Sequence, residues 1–475
     1  MTLSIFAAAS DSADSEALLC DGMRLTFSEL ARRVAARCEQ LTALGVRPIQ
    51  APPVALVADG SLGMFEVLYA LFALGVPLLP LHPRLTPPER EVLLAKSGAA
   101  LLVDPVEVAP AATDHRTQAR PRSIPDGQAL AFVASSGSSG TPKLIELSRG
   151  AFLALAHADA EHIPPLAGDR ALLCLPLSHV GGLSVVIRSL LARRACVVFR
   201  TPRAGLLSAT TELAQCIIQE RISLLSLVPP VLARLLREQP EFGSKTALRA
   251  LLLGGQACSP ELFLEARTRG IPVLTSYGLT ETCSQVSTLA LASSPVTADK
   301  NGVMSSGFPL PNVETRIRRG LIEVRGPTLF TRYVGAPSAL DEEGFFNTGD
   351  RGELDPELGL FVFGRESELI ISGGENIDPS EVEHALLACG LEAACVFGVP
   401  DPEFGERVVA ALETKKGKRL DERDLFLTLD QRLASFKQPR AICLFDELPR
   451  LGSGKLDRSK IRLEARTRLR APVRR

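Results

Sequence analysis

Short apolar stretches alternate with apolar helical stretches in this chain, and that alternation restricts the fold more than any other feature. Residues 53–57 have the pattern of a buried strand, residues 64–75 that of a buried helix ending at a glycine, and residues 76–80 that of a further strand. A strand, a helix and a second strand in succession build a parallel sheet with helices on its faces. The alternation resumes from about residue 151 to 290. The sequence therefore predicts an α/β fold of layered sheets.

Three further segments complete this part of the chain. Residues 27–38 have the apolar spacing of a helix, and Ser28 is the expected N-cap. Residues 104–127 are rich in Pro, Asp, Arg and Thr, which is typical of a surface connection. Residues 129–134 are again apolar and are predicted to form a buried strand.

The pattern changes in the last third of the chain. From about residue 305, short strands such as 321–327 and 360–364 are separated by turn residues. Residues from 366 onward form a smaller block with its own helices and strands. We place a boundary at residues 364 and 365, which predicts a large N-terminal domain over residues 1–364 and a small α+β C-terminal domain over residues 365–475.

Composition excludes several classes of protein. The chain has 475 residues, with 53 Lys and Arg against 54 Asp and Glu, so it lacks the basic excess of a nucleic-acid-binding protein. No run approaches 18 uninterrupted apolar residues, so we predict no membrane span. The ten cysteines are scattered singly without a CxxC pair, which indicates free thiols in a reducing compartment. We therefore expect a cytoplasmic protein.

The first motif that carries chemistry is a glycine-, serine- and threonine-rich loop that follows the strand 129–134. In such a loop, backbone N–H groups and hydroxyls can converge on phosphate oxygens, and a lysine adds positive charge. The spacing GxxxxGK[ST] of P-loop NTPases is not met, and a plain surface turn remains the alternative. The candidate phosphate-binding residues are Ser135, Ser136, Gly137, Ser138, Ser139, Gly140, Thr141 and Lys143.

Four more motifs follow along the chain. Residues 276–282 supply an aromatic ring that can stack on a base, a hydroxyl, and a carboxylate of the kind that holds Mg²⁺ beside substrate phosphates. Residues 347–350 are predicted to form a turn whose aspartate can grip ribose hydroxyls. The remaining two are the glycine-containing segments 364–376 and 452–457, the second of which contains a lysine.

In this order and at these separations, the five motifs resemble those of the adenylate-forming superfamily of acyl-CoA synthetases, adenylation domains and luciferases. The resemblance covers residues from about 20 to 470. It implies a large N-terminal domain and a small mobile C-terminal domain. It also implies ATP, Mg²⁺ and coenzyme A, used in two half-reactions: a carboxylate and ATP give an acyl-adenylate and pyrophosphate, and a thiol then displaces AMP.

The resemblance also assigns roles to individual residues. Lys455 matches the lysine that bridges the carboxylate and the α-phosphate, a position where added positive charge stabilises the transition state. Thr280 matches a residue near the α-phosphate, and Glu281 matches the Mg²⁺ ligand. The other matched positions concern the nucleotide and coenzyme A: Tyr277 stacked on adenine, backbone around adenine at Gly254, Gly255 and Gln256, ribose contacts at Asp350 and Arg365, and the entry of the thiol arm at Gly373 and Gly374.

Two positions differ from the common pattern of the superfamily. Ser367 stands at the hinge position, which is often Asp or Lys. Leu321 follows Gly320 where the family usually has Gly-Glu. Neither position touches the chemistry directly, so domain rotation itself is still expected.

The choice of acid is indicated by residues 176–188. The amino-acid-activating branch usually carries an aspartate in this segment, whereas here His179 and a valine stand in its place, which disfavours an amino-acid substrate. The run HVGGLS with a basic residue four positions later resembles the 2-succinylbenzoate–CoA ligases of menaquinone biosynthesis. That acid keeps an aryl carboxylate, for which the bidentate fork of Arg188 is well suited. The predicted acid-pocket residues are His179 as the gate, Arg188, Ser184, Ser284, Gln285 and Thr288.

Other functions share part of this pattern. A CoA ligase for another aryl or medium-chain carboxylic acid would carry every nucleotide motif and differ only in the pocket. A non-catalytic nucleotide-binding scaffold is disfavoured because Lys455, Glu281 and Asp350 are all present. A luciferase-like oxygenase carries the same motifs, but no residue pattern here requires one. Arg188 could also be a solvated helix arginine like Arg193 or Arg194, and a homo-oligomer is compatible with the sequence.

Overall fold

The computed structural model describes residues 2–49, 51–99, 101–105, 122–135, 143–202, 205–291, 298, 303–372, 375–401, 404–414, 421–451 and 454–469. Within these ranges, no helix is both long and apolar enough to cross a lipid bilayer. The same ranges hold no group of three or more His, Cys, Asp or Glu side chains arranged to bind a metal ion.

The helices lie mainly in the N-terminal two thirds of the chain and cover the faces of two sheets. In chain order they are α1 (Ile5–Asp11), α2 (Phe27–Ala43), α3 (Leu62–Leu74), α4 (Pro87–Ser97), α5 (Arg149–His162), α6 (Val180–Leu191), α7 (Thr210–Gln219), α8 (Pro229–Glu238), α9 (Phe242–Lys245), α10 (Pro260–Thr268), α11 (Pro379–Leu387), α12 (Glu422–Asp430) and α13 (Arg458–Leu469).

The strands build four sheets. In chain order they are β1 (Glu16–Cys20), β2 (Met23–Thr26), β3 (Val54–Val57), β4 (Leu78–Leu81), β5 (Leu101–Val103), β6 (Ala129–Ser135), β7 (Lys143–Ser148), β8 (Arg170–Leu173), β9 (Ala195–Val198), β10 (Leu224–Leu227), β11 (Ala250–Leu253), β12 (Val273–Tyr277), β13 (Ser287–Thr288), β14 (Phe308–Pro309), β15 (Glu314–Arg318), β16 (Leu321–Arg325), β17 (Arg332–Tyr333), β18 (Phe346–Asp355), β19 (Gly359–Arg365), β20 (Ile370–Ser372), β21 (Glu375–Ile377), β22 (Ala393–Asp401), β23 (Gly405–Glu413) and β24 (Ala441–Phe445).

The first sheet confirms the strand–helix–strand pattern from which the fold class was predicted. Its order is β17-β7-β6-β4-β3-β5, and β3, β4, β5 and β6 run parallel. All four residues of β3 and of β4 are buried. The helix α3 between them is apolar around its circumference except for Glu66, which is buried and paired with Arg33 and Arg37, and it ends at Gly75, whose φ of 67° is left-handed. An all-round apolar helix is stable only when protein surrounds it, so α3 belongs to the core.

The second sheet positions most of the predicted site. Its order is β14-β13-β12-β11-β10-β8-β9-β1-β2, with β8 to β12 mutually parallel in adjacent pairs. The chain leaves β8 to one side to form β9 and returns on the other side to form β10. Open parallel sheets bind ligands beyond the carboxyl ends of their strands at such a reversal of order. The residues that follow β8, β11 and β12 therefore meet at one edge.

The C-terminal part adds two smaller sheets. One has the order β15-β16-β18-β19, and the other joins β21, β20, β23 and β22 with β24 paired to β23. This last sheet, with α11, α12 and α13, gives the small α+β unit that the fold class requires. The division at residues 364 and 365 stays a prediction; β19 ends at Arg365 and β20 begins at Ile370. An ion pair between Arg237 on α8 and Glu392 connects the two parts.

Two local predictions were wrong. Residues 347–350 do not form a turn, because they belong to β18. Between the pairs Asn347–Glu323 and Arg351–Leu321, β18 advances by four residues while β16 advances by two. The extra residues form a bulge, with Gly349 at a φ of 70°. The second error concerns α2, whose N-cap is Thr26 rather than Ser28.

The cap of α2 is a capping box. The Thr26 hydroxyl accepts from the N–H of Glu29 at 3.2 Å, and the Glu29 carboxylate accepts from the N–H of Thr26 at 2.9 Å. These two bonds satisfy backbone donors that the first turn of a helix leaves without partners.

We expect Thr26→Ala to destabilise the first turn of α2 by about 1 kcal/mol, because the cap acceptor is lost. Hydrogen exchange at the amides of Glu29 and Leu30 should accelerate by roughly fivefold, which corresponds to that energy. Ser28→Ala is the matched control and should leave the exchange unchanged. Equal acceleration in both variants would contradict the assignment of Thr26 as the cap.

Candidate active site

The first cluster of the site is built around the carboxylate of Asp350. The phenol of Tyr277, at the end of β12, donates to Asp350 Oδ2 at 2.6 Å. Arg365, which faces Asp350 across the β18–β19 ladder, places Nε 2.8 Å from Oδ1 and donates from Nη1 to the carbonyl of Thr348 at 2.7 Å. Burial raises the pKa of Asp350, and the Arg365 cation opposes that rise. Three residues predicted to contact the nucleotide therefore meet in one group.

The second cluster contains Thr280 and Glu281. They lie in a 3₁₀ turn, Thr280–Thr282, directly after β12. The backbone folds tightly here, since a Cβ at Gly278 would lie 1.4 Å from the carbonyl oxygen of Ser284. The Glu281 carboxylate accepts a hydrogen bond from the phenol of Tyr333 at 2.9 Å. Carboxylate and hydroxyl oxygens are ligands that suit Mg²⁺, so the chemistry of this donor set fits the metal that the family resemblance implies.

The predicted catalytic lysine approaches these clusters from the C-terminal part of the chain. A Cβ built on Gly255 would lie 2.8 Å from Cε and 3.2 Å from Nζ of Lys455, and Gly255 has a φ of 78°. The left-handed backbone favours glycine at this position, and the absence of a Cβ leaves room for the end of the Lys455 side chain. Burial and the Arg365 cation lower the pKa of Lys455, while the charge of Asp350 opposes that shift. Lys455 thus lies within the electrostatic reach of the Asp350 cluster.

His179 lies at the N-terminal end of α6, between β8 and the cleft. It is the N-cap residue, yet its side chain makes no capping hydrogen bond. The ring remains accessible to solvent, but the surrounding protein limits its hydration. That loss of hydration, followed by the charges of Lys455 and His82, lowers the pKa of His179 to about 4. The imidazole is therefore neutral at physiological pH and can serve as a hydrogen-bonding wall of the cleft.

Most of the predicted acid-pocket residues form one buried hydrogen-bonded network, which we call the Arg188 network. Arg188 donates to the carbonyl of Ser184 at 3.3 Å and to Gln285 Oε1 at 3.3 Å. Gln285 Nε2 donates to Thr288 Oγ1 at 2.9 Å, and Thr288 shares a 3.0 Å hydrogen bond with Ser276. The network links α6 to the segment after the turn Thr280–Thr282. Arg188, Gln285 and Thr288 were predicted to line one pocket, and the structure places their side chains in one network.

The charge of Arg188 is partly neutralised inside the protein. Arg188 Nη1 lies 2.6 Å from Asp159 Oδ1, and both side chains are less than 10 % exposed. Arg194 is also buried rather than solvated, and burial lowers its pKa to about 10. A cavity of about 20 Å³ touches all three residues. Arg188 and Arg194 therefore lie beside the carboxylate of Asp159, while the nearby Asp169 is paired with Arg249, which leaves an excess positive charge beside the network.

Other predicted residues lie apart from these clusters or outside the described residues. Ser135 and Lys143 pair across the β6–β7 ladder, which brings the two ends of the predicted phosphate loop together. Ser367 is exposed in the 3₁₀ turn Glu366–Glu368. Ser284 has a φ of 102°, and among the described contacts its side chain makes no hydrogen bond to the Arg188 network. Outside the described residues lie Ser136, Gly137, Ser138, Ser139, Gly140, Thr141, Gly373 and Gly374.

Three residues near the site were missed at the sequence level. Tyr333 holds Glu281, Asp159 pairs with Arg188, and His82 lies close enough to affect the pKa of His179. His82 directly follows β4, and a polar residue at the carboxyl end of a parallel strand is a signal that could have identified it. Tyr333 and Asp159 carry no comparable signal, because each is distant in sequence from its partner.

Comparison with known families matches two segments of the chain. Residues 5–334 match the family of AMP-binding enzymes, and residues 381–455 match the AMP-binding enzyme C-terminal domain. The predicted boundary falls in the interval between the two matched segments.

Individual relatives match nearly the whole chain. A 2-succinylbenzoate–CoA ligase of Bacillus pumilus is 32% identical over 475 residues, covering 94% of each chain. A feruloyl-CoA synthase of an Amycolatopsis species is 33% identical over 481 residues, covering 93% of this chain and 94% of its own. Among solved structures, the o-succinylbenzoate CoA synthetase of Bacillus subtilis bound to its acyl-adenylate intermediate has a TM-score of 0.84 at 30% identity, covering 96% of this chain and 97% of its own. The same enzyme bound to ATP and magnesium has a TM-score of 0.83 at 30% identity, covering 96% and 98%.

We expect the imidazole of His179 to titrate near pH 4 rather than near 6.5. Between these values the unfolded chain binds a proton at this position and the folded chain does not, so this residue reduces stability as the pH falls through that window. Nuclear magnetic resonance of ring-labelled histidine would measure the titration, with His179→Gln to assign the signal.

Lys455→Met should raise the pKa of His179, because it removes one of the nearby cations. Lys437→Met, which removes a lysine paired with Glu381, should not change it. A titration of His179 near 6.5 in the unmodified protein would contradict the assignment.

Proposed function

The chain belongs to the AMP-binding enzymes, the adenylate-forming superfamily, and from this premise we propose that it is an AMP-forming ligase that joins 2-succinylbenzoate to coenzyme A. The acid is first activated with ATP to an acyl-adenylate with release of pyrophosphate, and the thiol of coenzyme A then displaces AMP. The product, 2-succinylbenzoyl-CoA, would serve menaquinone biosynthesis. The observation that carries this proposal is the convergence of Lys455, from the C-terminal part, on the cluster of Tyr277, Asp350 and Arg365.

The first half-reaction needs positive charge where the carboxylate oxygen attacks the α-phosphorus. As the new P–O bond forms and the bond to pyrophosphate breaks, negative charge grows on the non-bridging oxygens. Lys455 and Thr280 supply a cation and a hydroxyl for these oxygens, while Asp350 and Tyr277 fix the nucleoside. Glu281 and Thr280 would hold Mg²⁺, which neutralises phosphate charge when bound. Preorganised charges of this kind cost no rearrangement at the moment of reaction.

The second half-reaction needs room at the acyl carbon. The coenzyme A sulfur attacks the carbonyl carbon of the adenylate, the C–O bond to AMP breaks, and AMP leaves. Lys455 occupies this side of the cleft in the arrangement described, so the C-terminal part must first turn away. Ser367, exposed directly after β19, is the proposed pivot. The thiol path past Gly373 and Gly374 stays a prediction.

The Arg188 network supports an acid with a second carboxylate. His179 caps the start of α6 and Arg188 lies in its last turn. Nine residues of helix span about 13 Å, enough for a substituted benzoate with a four-carbon arm. The excess positive charge of Arg188 and Arg194 over Asp159 would be balanced by an aryl carboxylate. A neutral aryl end would leave this charge uncompensated, which is costly in a buried site.

The second candidate is a CoA ligase for another aryl acid. The 33% identity to a feruloyl-CoA synthase supports this alternative. The nucleotide motifs are common to both functions and favour neither. Only the pocket distinguishes the two functions. We place either activity in the cytoplasm, because the ten cysteines of the chain are free, as is usual in a reducing compartment.

The decisive test is ATP- and coenzyme A-dependent release of AMP with 2-succinylbenzoate, ferulate, benzoate, 4-hydroxybenzoate, octanoate and several amino acids. We expect kcat/KM for 2-succinylbenzoate to exceed that for the monocarboxylic acids by about a hundredfold, the worth of one buried charge-assisted pair. Lys455→Ala should abolish acid-dependent pyrophosphate release but retain thioester formation from supplied acyl-adenylate. Preference for ferulate would replace the assigned acid, and ATP binding without turnover of any acid would favour a scaffold.

A second expectation concerns Arg188. Replacing it alone would leave Asp159 buried without its partner, so we choose the double variant Arg188→Met with Asp159→Asn. KM for 2-succinylbenzoate should rise about tenfold or more while KM for ATP stays constant. Arg193→Met, which removes the neighbouring arginine paired with Asp11, is the control and should behave as the parent. An unchanged KM for the acid in the double variant would remove Arg188 from the pocket.

A further inference from the structure

Tyr333 connects two parts of the site, the carboxylate of Glu281 and the strand at the end of the predicted phosphate loop. We propose that Tyr333 is a positioning residue that orients Glu281 for Mg²⁺ and couples that orientation to the strand carrying Lys143. The inference rests on the proposed function only in taking Glu281 as the metal ligand. It concerns the second carboxylate of the site and is independent of which acid is activated.

The first observation is the contact with Glu281. The phenol oxygen of Tyr333 donates to Glu281 Oε1 at 2.9 Å. Among the described residues, none of the ion pairs within 4.0 Å involves this carboxylate, and its hydrogen-bonding partner there is the neutral phenol. A neutral donor fixes the direction of one oxygen without cancelling the charge, and the other oxygen stays available. That is the arrangement a carboxylate needs when a divalent cation is to bind it.

The second observation is the way Tyr333 is anchored. Its strand β17 pairs with β7, with Tyr333 opposite Ile145 and Arg332 opposite Glu146. Arg332 Nε also lies 2.8 Å from Glu146 Oε2. The N–H of Phe330 donates to the carbonyl of Glu281 at 2.8 Å. Segment 330–333 therefore binds the main chain of Glu281 at one end and β7 at the other, so the Tyr333 hydroxyl has little freedom to move.

The third observation is the ring of Tyr333. Lys143 Nζ lies 4.8 Å from the ring centroid, within the range of a cation–π contact. Phe330 also packs against the ring, with centroids 4.7 Å apart and an interplanar angle of 60°. Lys143 is the last residue of the predicted phosphate loop. One side chain thus touches the phosphate loop through its face and the metal ligand through its hydroxyl.

The placement has a physical consequence for metal binding. Without the phenol, the Glu281 side chain can adopt several rotamers, and binding of Mg²⁺ must then select one of them. Ordering a flexible side chain reduces affinity, whereas a preorganised one does not. The effect should fall on the metal and leave binding of the nucleoside unaffected, because Tyr277 and Asp350 hold the nucleoside through separate contacts.

The test compares Tyr333→Phe with Tyr69→Phe in the full-length chain. Tyr333→Phe removes one oxygen and keeps the ring contacts, while Tyr69 is a core tyrosine that is 3% exposed. Binding of Mn²⁺ in the presence of ATP, measured by electron paramagnetic resonance, should weaken about tenfold in Tyr333→Phe, the effect of one charge-assisted hydrogen bond. Tyr69→Phe should bind Mn²⁺ like the parent.

Kinetics give a second measurement. In Tyr333→Phe the Mg²⁺ concentration for half-maximal pyrophosphate release should rise by a similar factor, with kcat at saturating Mg²⁺ retained within about twofold. In a Glu281→Gln background, adding Tyr333→Phe should weaken Mn²⁺ binding no further, because the contact it supports is already gone.

The outcomes separate this inference from the proposed function. Mn²⁺ affinity in Tyr333→Phe within twofold of the parent, or additive losses in the double variant with Glu281→Gln, would overturn the role of Tyr333. A parent protein that binds Mn²⁺ with ATP but ligates no acid would instead overturn the proposed function, and the metal-binding comparison would still decide the role of Tyr333.

Discussion

The arrangement of the site depends on the interactions of the Asp350 carboxylate with Tyr277 and Arg365. The carboxylate accepts a hydrogen bond from Tyr277, the last residue of strand β12 in the nine-stranded sheet. It also faces the cation of Arg365, the last residue of β19. A buried carboxylate is tolerated only when such partners are in place, so the two sheets must meet in one geometry. The chain then leaves Arg365 for its C-terminal part, and Lys455 returns to the same cleft.

The two acidic residues at the centre of the site are oriented by the same kind of hydrogen bond. Asp350 and Glu281 each accept a hydrogen bond from a phenol, Tyr277 and Tyr333 respectively. The chain has three tyrosines, and these two hold carboxylates while Tyr69 lies in the core. A phenol orients a carboxylate without neutralising it. Asp350 is in addition paired with the cation of Arg365, whereas the carboxylate of Glu281 has the phenol alone among the described hydrogen bonds.

The Arg188 network is held differently, because its charged groups pair with each other inside the protein. Arg188 is held by Asp159 and by Gln285, so its position is determined before any ligand arrives. Arg194 adds a second buried cation. Preorganised charge favours a ligand of opposite sign, and it penalises a neutral one because the imbalance persists. Under the proposed function, selection among aromatic acids would depend on one carboxylate at the far end of the substrate.

The sequence by itself determined the layered α/β class, the order of the nucleotide motifs and most of the residues that gather in the cleft. The fold class follows from apolar spacing, which local physics governs, whereas the residues of the cleft follow from the resemblance of five short motifs to those of the adenylate-forming superfamily. The structure alone decided that Asp350 lies on a bulged strand, that Thr26 caps α2, and that Arg194 is buried. It also decided the pairs Tyr333–Glu281 and Asp159–Arg188. Their partners are 52 and 29 residues apart in the chain, and such contacts exist only after separate elements have packed.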